Sequence, residues 1–282
     1  MTKNAKDLDT SDIQSFLLVG PPGSGKTTQF RTIPGRGFIY IFDPNALASL
    51  TRLDVDYEVF SPDLLDINVT PLSKKRAGDT VTRVREPRTY IKFEEHIDDF
   101  LEGPIKKYDW IGFDSFTTFS DAVMDRVLWL NKRTGKHPEQ ADWTAQMTTI
   151  QNVMRSLVHR GKMIVATAHE EVIQDRIVQT YAFQPLLTGR LKIRIPLLFS
   201  NIYRTEADTI EDKAHYYLWT TPDRKHNYIR SAIKGLPSIL EVTITDFKRQ
   251  QSFGIGAILS GSVRAEKEIS SKKSSGKRTR RF

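Results

Sequence analysis

The chain contains no cysteine among its 282 residues. This absence excludes disulfide bonds, thiolate-ligated zinc, iron–sulfur clusters and a cysteine nucleophile. Hydrophobic runs are also short: the longest, such as residues 163–168, have the length of a strand and not the ~20 residues of a membrane helix. The first residues carry charges with no apolar stretch behind them, so no secretory signal is predicted. These absences favour a cytoplasmic protein that does not bind a membrane.

Positive charge is concentrated at the carboxyl end of the sequence. The net charge is +8, yet residues 263–282 hold eight lysines and arginines against two glutamates, and residues 1–262 hold 34 basic against 32 acidic side chains. A polar, basic segment of this kind cannot bury enough apolar surface to fold. We therefore predict a linker and disordered basic tail over 251–282, which either binds nucleic acid or only keeps the end soluble. A flexible leader is predicted over 1–12.

Between these ends, one α/β domain is predicted over residues 13–250. Strand-length apolar runs alternate with stretches that have helical spacing, and this order is typical of a mostly parallel sheet flanked by helices. Alternating patterns over 214–247 predict antiparallel strands near the carboxyl end. Residues 73–89 lack a core pattern and carry clustered positive charge, which predicts an exposed basic insertion. Residues 170–188 are predicted to form a polar loop.

The clearest motif is a glycine-rich turn between the first predicted strand and a helix predicted over 26–33. Residues 20–27 read GPPGSGKT and satisfy the P-loop pattern GxxxxGK[ST]. Glycines allow backbone N–H groups to surround phosphate, the lysine reaches the β- and γ-phosphates, and the threonine hydroxyl binds Mg²⁺. We predict a nucleoside triphosphate site whose phosphate-binding residues are Gly20, Pro21, Pro22, Gly23, Ser24, Gly25, Lys26, Thr27 and Thr28.

Three further residues follow predicted strands, where open α/β sheets bind their ligands. Asp114 ends the run 110–113 and is the first candidate for the Mg²⁺-binding carboxylate; the alternative is a helix N-cap, and both roles can coexist. Asp43 follows residues 38–42 in the same way and is the second candidate, for the metal or for the attacking water. His169 follows the strand predicted over 162–167 and is a candidate γ-phosphate sensor or a packing residue.

In this order of motifs the sequence resembles the RecA-like P-loop ATPases. The resemblance runs from about residue 13 to 247, and Phe42–Leu50 and Asp114–Phe119 are most similar to a phage-encoded group linked to single-strand annealing and recombination. AAA+ proteins usually carry a glutamate after the strand aspartate, and Ser115 at this position argues against that class. The resemblance implies an ATPase with ATP and Mg²⁺ as ligands, in which Asp114 binds the metal and His169 couples the γ-phosphate to the loop that follows. If the chain is phage-encoded, its location is the host cytoplasm.

The resemblance also implies single-stranded DNA as a partner. The family's two DNA-binding loops fall at about Asn131–Ala141 and Glu170–Thr188. Basic side chains in the first suit phosphate contacts, and the mixture of basic and aromatic side chains in the second suits base stacking; an ordinary solvated loop is the alternative for both. The candidate DNA-binding residues are Lys132, Arg133, Lys136, His137, Arg176, Tyr181, Phe183 and Arg190.

The sequence departs from the family at the catalytic glutamate, which falls on Asn45. An asparagine can orient water but cannot accept its proton, so hydrolysis is expected to be slow or to depend on Asp43 or Glu170. The family assembles into rings or filaments and completes each site with a basic residue from the next subunit. Arg230 and Lys234 are the candidates for that role, with surface charges as the alternative.

The sequence thus predicts a DNA-stimulated ATPase of phage recombination or replication, with other proteins of that process as further partners. A first alternative is a nucleotide-gated adaptor without efficient hydrolysis, such as a helicase loader or packaging accessory, which Asn45 keeps open. A second is a nucleotide or small-molecule kinase. Such kinases usually have an arginine-rich lid, and Arg204 and Arg224 do not form an obvious one.

Overall fold

The computed structural model describes residues 14–61, 86–175, 180–189 and 191–263. Nine strands are described in these ranges, and they form one sheet in the order β3-β2-β4-β5-β1-β7-β8-β9, with β6 paired to β5. The strands are β1 (Ser15–Gly20), β2 (Gly37–Ile41), β3 (Asp56–Val59), β4 (Trp110–Asp114), β5 (Met163–Asp175), β6 (Thr180–Pro185), β7 (Asn201–Ile210), β8 (Lys213–Trp219) and β9 (Ile239–Glu241).

Helices cover both faces of this sheet. The α-helices are α1 (Leu47–Leu50), α2 (Thr89–Glu102), α3 (Phe116–Leu130), α4 (Gln140–His159), α5 (Leu191–Arg194) and α6 (Gly254–Leu259). Short 3-10 helices span Thr27–Thr32, Pro44–Ala46, Pro104–Lys107, Pro196–Leu198 and Phe247–Ser252. None of the helices in the described ranges has both the length and the apolar character needed to cross a membrane.

The strands from β3 to β7 in the sheet order pair in parallel, and β8 and β9 extend the sheet by antiparallel pairing. This confirms the predicted α/β architecture, a mostly parallel sheet with flanking helices and antiparallel strands near the carboxyl end. Parallel strands end at the same edge, so the carboxyl ends of β1, β2, β4 and β5 lie together.

Successive side chains of the central strands point to opposite faces of the sheet and form two apolar cores, one on each face. In β2, Tyr40 packs on one face among α2, α3 and α4, whereas Ile39 and Ile41 pack on the other face with the 3-10 helix Thr27–Thr32 and α6. Both faces of the strand are buried, which explains its continuous apolar sequence. The cores fix the sheet and therefore the positions of the residues at its carboxyl edge.

Two predicted boundaries and the type of one predicted helix change. The predicted polar loop over 170–188 is wrong for most of its length, because β5 continues to Asp175 and pairs with β6 as a hairpin. A linker starting at residue 251 is also wrong, because α6 is buried: a Cβ on Gly256 would lie 2.1 Å from the Thr32 carbonyl oxygen. The helix predicted over 26–33 is a 3-10 helix.

Other predictions fall outside the described residues. These are the leader at 1–12, the tail from residue 264 onward and most of the basic insertion 73–89. The insertion was predicted to reach residue 89, and Thr89 is instead the buried first residue of α2.

Candidate functional site

The turn after β1 has the backbone shape that its glycines predict. Gly23 and Gly25 have φ angles of 76° and 83°, in the left-handed region that favours glycine. Gly20 has no room for a side chain, since a Cβ there would lie 2.2 Å from Thr205 Oγ1. Ser24 Oγ lies 2.6 Å from the same Thr205 oxygen. Thr205 on strand β7 therefore packs against the P-loop and holds it in place.

Lys26 closes this loop with its own side chain. Its ammonium donates to the carbonyl oxygens of Gly20 at 2.9 Å and Pro21 at 2.7 Å, and the residue is 7% exposed. Burial lowers its pKa to about 8, against the opposing effect of Asp114, Glu170 and Asp43. The cation is thus held at the loop in a site that lacks a full counter-charge, which suits an incoming phosphate.

Asp114 lies beside the loop, as predicted. One carboxylate oxygen accepts a hydrogen bond from Thr27 Oγ1 at 2.7 Å and the other accepts one from Thr167 Oγ1. Burial raises the pKa of Asp114, and the two hydroxyls and Lys26 act in the opposite direction. The N-cap alternative is wrong, because Ser115 caps α3 through its hydroxyl. Thr27 and Asp114 together offer hard oxygen ligands, the type that Mg²⁺ prefers.

Asp43 and Asn45 lie on the neighbouring strand end. The Asp43 N–H donates to the Asp114 carbonyl oxygen at 3.2 Å, so the two strand ends are adjacent. The Asp43 carboxylate accepts the Asn45 N–H at 3.1 Å and caps the 3-10 helix Pro44–Ala46. Both side chains line the cleft above the P-loop. A carboxylate and an amide are therefore in place where a water could be oriented.

His169 lies opposite Gly20 in the pairing of β5 with β1. The backbone N–H of His169 donates to Thr117 Oγ1 at 3.0 Å, and the residue lines the cleft. Burial lowers the pKa of His169, Lys26 lowers it further and Asp43 opposes both. The ring is therefore neutral at pH 7 and can donate one hydrogen bond.

These residues share one cleft of about 500 Å³. Its described lining is Pro22, Gly23, Ser24, Gly25, Lys26, Thr27, Thr28, Asp43, Asn45, Ala46, Ser49, Asp114, Ser115, His169 and Tyr216. Two residues of the site were not predicted from the sequence. Thr167, which donates to Asp114, gives no motif signal, although it lies two residues before His169 in a buried strand. Tyr216, which lines the cleft, comes from β8, far along the chain.

Glu170 does not share the role suggested for it. Its side chain is 5% exposed, accepts from Arg204 Nε at 2.9 Å and accepts from the Tyr228 hydroxyl at 2.7 Å. Glu170 is therefore a buried carboxylate whose oxygens are already bound by Arg204 and Tyr228. Of the two carboxylates suggested for the attacking water, Asp43 is the one that lines the cleft. Arg204, considered for a kinase lid, is occupied in the same cluster.

Some of the predicted DNA-binding residues are exposed, and others are held by contacts within the chain. Tyr181 is 54% exposed on the hairpin, whereas Phe183 stacks on His226 at 4.6 Å and lies under the Arg204 guanidinium. Phe183 is thus a packing residue in the conformation described. Arg176 and Arg190 lie outside the described residues.

In the segment before α4, Arg133 has a structural contact. It donates to Asp142 at 2.9 and 2.6 Å and pairs with Glu139, which fixes the start of α4. Lys132 and Lys136 are exposed, as is His137, whose Nδ1 lies 3.0 Å from the Pro138 carbonyl oxygen. The two lysines are the side chains of this segment that fit a phosphate contact.

The candidates for action across a subunit boundary also differ from each other. Arg230 donates to the Pro196 carbonyl oxygen at 2.7 Å and to the Phe199 carbonyl oxygen, near the amino ends of β1 and β7. It is therefore bound within its own chain at the edge opposite the P-loop. Lys234 is exposed.

One family model matches the part of the chain that holds this cleft. The family model described as AAA domain matches residues 13–227. A search of curated protein sequences gives no match. Among solved structures, the flagellar accessory protein FlaH from Methanocaldococcus jannaschii is similar over 82% of this chain and 85% of that chain, with 10% identity and a TM-score of 0.38. The argument from Ser115 against the AAA+ class is not supported by the match to an AAA domain. The chain belongs to the AAA domain family and carries a nucleotide-binding ATPase domain with a P-loop.

Proposed function

We propose that the protein binds ATP with Mg²⁺ in the cleft above the P-loop, hydrolyses it, and uses this cycle to bind and release single-stranded DNA. The observation that carries the ATPase part is the convergence of Lys26, Thr27 and Asp114 at one edge of the sheet, with Thr27 Oγ1 2.7 Å from the Asp114 carboxylate. By resemblance, the proposal includes assembly into a ring or filament and work with other proteins of phage recombination or replication.

In this proposal each side chain has a separate role. Lys26 turns from the Gly20 and Pro21 carbonyl oxygens to the phosphates, and Thr27 with Asp114 would hold Mg²⁺. The metal, when bound, neutralises charge on the phosphate oxygens. Asp43 and Asn45 orient the attacking water, and the neutral His169 donates to the γ-phosphate. Asp43 is the proton acceptor, because Asn45 at the family's glutamate position cannot accept a proton, and turnover is therefore slow.

Exposure and charge support the DNA part. Lys132, Lys136 and Tyr181 are exposed, and they are the residue types that contact phosphates and stack on bases. The segment that follows the hairpin contacts the second turn of α4, since Thr188 Oγ1 donates to Gln146 Oε1 at 3.1 Å. The basic tail, with a net charge of +6 over 263–282 from eight basic and two acidic residues, adds attraction to any nucleic acid.

The test is phosphate release from MgATP with and without single-stranded DNA, using the wild-type chain and Lys26→Ala. We expect slow release that DNA accelerates and that the variant loses. Lys132→Ala/Lys136→Ala should reduce the acceleration severalfold and flatten its salt dependence. The matched control is Lys106→Ala/Lys107→Ala, two exposed lysines before β4, which should leave the acceleration unchanged.

Other outcomes separate the alternatives. Turnover that ignores DNA, together with phosphate transfer to a nucleoside monophosphate, would replace the proposal with a kinase. ATP binding without turnover would favour the adaptor, a function that Asn45 and the occupied Glu170 make physically reasonable.

ATP affinity should depend on pH through Lys26. In the nucleotide-free protein its pKa is lowered to about 8, and bound phosphate raises it again, so binding above pH 8 takes up a proton. The dissociation constant of MgATP should therefore be nearly constant below pH 8 and rise by up to about tenfold per pH unit above it. Calorimetric titrations from pH 7 to 9.5 measure this. Lys26→Arg stays protonated and should show a flat profile; a flat wild-type profile would contradict the prediction.

A further inference from the structure

Tyr216 lies against the outer side of the P-loop. A Cβ built on Gly25 would lie 2.8 Å from Tyr216 Cδ1, so the ring is in van der Waals contact with the glycine. The same side chain lines the cleft that holds Lys26 and Thr27. Within the described lining it supplies the benzene-type ring, a surface on which a nucleobase can stack.

The sheet fixes the position of this ring. The Tyr216 N–H donates to Thr243 Oγ1 at 2.9 Å, its carbonyl oxygen accepts the Val242 N–H at 2.7 Å, and it pairs with Ala207 on β7. The side chain also packs on the apolar core that contains Ile39 and Ile41. A ring held in this way loses little conformational freedom when a ligand stacks on it.

The strand order places Tyr216 on the side of the cleft where the nucleoside would lie. Asp43 follows β2, Asp114 ends β4 and His169 lies on β5, and these three strands lie on one side of β1. Tyr216 comes from β8, two strands away on the other side, or about 10 Å at the usual strand spacing. With the γ-phosphate directed to the acidic side, the ribose and base extend toward β7 and β8.

We propose that Tyr216 stacks on the base of the bound nucleoside triphosphate and is a determinant of nucleotide affinity. The inference rests on the proposed function, because it needs the triphosphate to occupy the P-loop. Stacking uses the face of the base, so it adds affinity for ATP and GTP alike and none for a triphosphate without a base.

The experiment compares the binding of MgATP and of magnesium tripolyphosphate, the same phosphate chain without nucleoside. Tyr216→Leu keeps an apolar contact with Gly25 but removes the ring, and Tyr216→Phe keeps the ring. We expect the leucine variant to bind MgATP about 5- to 100-fold more weakly and to bind tripolyphosphate as the wild type does. The phenylalanine variant should bind both as the wild type does. Tyr216→Met is the second ring-free variant if the leucine variant does not fold.

The outcomes distinguish this inference from the function on which it rests. Equal weakening of MgATP and tripolyphosphate in the ring-free variants would make Tyr216 a support of the loop and overturn the stacking role while leaving the ATPase intact. Unchanged MgATP binding in those variants would also overturn it. A wild-type chain that binds neither ligand would overturn the proposed function itself and the stacking role with it.

Discussion

Replacing Asp114 by asparagine should reduce ATP hydrolysis on the order of 100-fold while leaving the fold intact. The substitution removes the negative charge that attracts Mg²⁺ but keeps the size of the side chain and an oxygen that can accept from a threonine hydroxyl. Turnover of the variant should require a higher Mg²⁺ concentration than that of the wild type. Phosphate release measured against Mg²⁺ concentration tests both expectations.

Stability should change in the opposite direction to activity. Burial raises the pKa of Asp114, so the folded, metal-free chain disfavours the ionised form and pays for it at pH 7. A neutral asparagine removes that cost. The melting temperature without nucleotide should therefore equal or exceed that of the wild type. Asp99→Asn, at an exposed position of α2, is the control for loss of one charge. An Asp114→Asn variant that hydrolyses ATP at the wild-type rate would show that this carboxylate does not hold the metal.

The parts of the site that follow from local sequence could be predicted. The P-loop could be predicted from residues 20–27 alone, because few residues other than glycine adopt the left-handed φ angles found at Gly23 and Gly25. Asp43, Asp114 and His169 could be predicted because parallel strands end at one edge, which requires only that each strand be recognised.

The parts that depend on distant pairing could not be predicted. Residues 170–175 and 180–185 alternate polar and apolar side chains only weakly, and their strand character comes from the pairing of β5 with β6. Arg133 and Phe183 looked suited to DNA because their intrachain partners, Asp142 and His226, are not evident in the sequence. Charge and aromatic content identify residues that can bind nucleic acid, whereas exposure decides which of them are free to do so.

Breaking the buried pair of Arg204 and Glu170 should give the largest loss of stability among the substitutions considered. The Arg204 and Glu170 side chains are 9% and 5% exposed, and Arg204 Nε lies 2.9 and 3.3 Å from the two carboxylate oxygens. Burial alone would lower the pKa of Arg204, but its hydrogen bond and attraction to Glu170 raise it above the usual value. Arg204→Met leaves Glu170 buried without its cation and should destabilise the chain by about 3–5 kcal/mol.

A double-mutant cycle separates the pair from the packing around it. The Arg204 guanidinium also lies 5.5 Å from the Phe183 ring centroid and 5.8 Å from that of Trp219, and a methionine side chain keeps apolar contact with both rings. Glu170→Gln in the Arg204→Met background removes the unpaired charge and should restore most of the stability. Urea unfolding followed by circular dichroism measures each variant. Arg36→Met, which breaks an exposed pair with Asp56, is the matched control and should have a much smaller effect.

The consequence for function follows from the position of the pair. Glu170 follows His169, which lines the nucleotide cleft, and it is also the first residue of the hairpin pairing with Pro185. Arg204 joins this point to β7, whose next residue, Thr205, supports the P-loop through Ser24. If His169 moves when nucleotide binds, the Arg204–Glu170 pair holds the adjacent end of the hairpin rigidly and limits how far that movement spreads into it. If Arg204→Met lost less than about 1 kcal/mol, the pair would not be the anchor described, and the hairpin would have to be held by its apolar contacts alone.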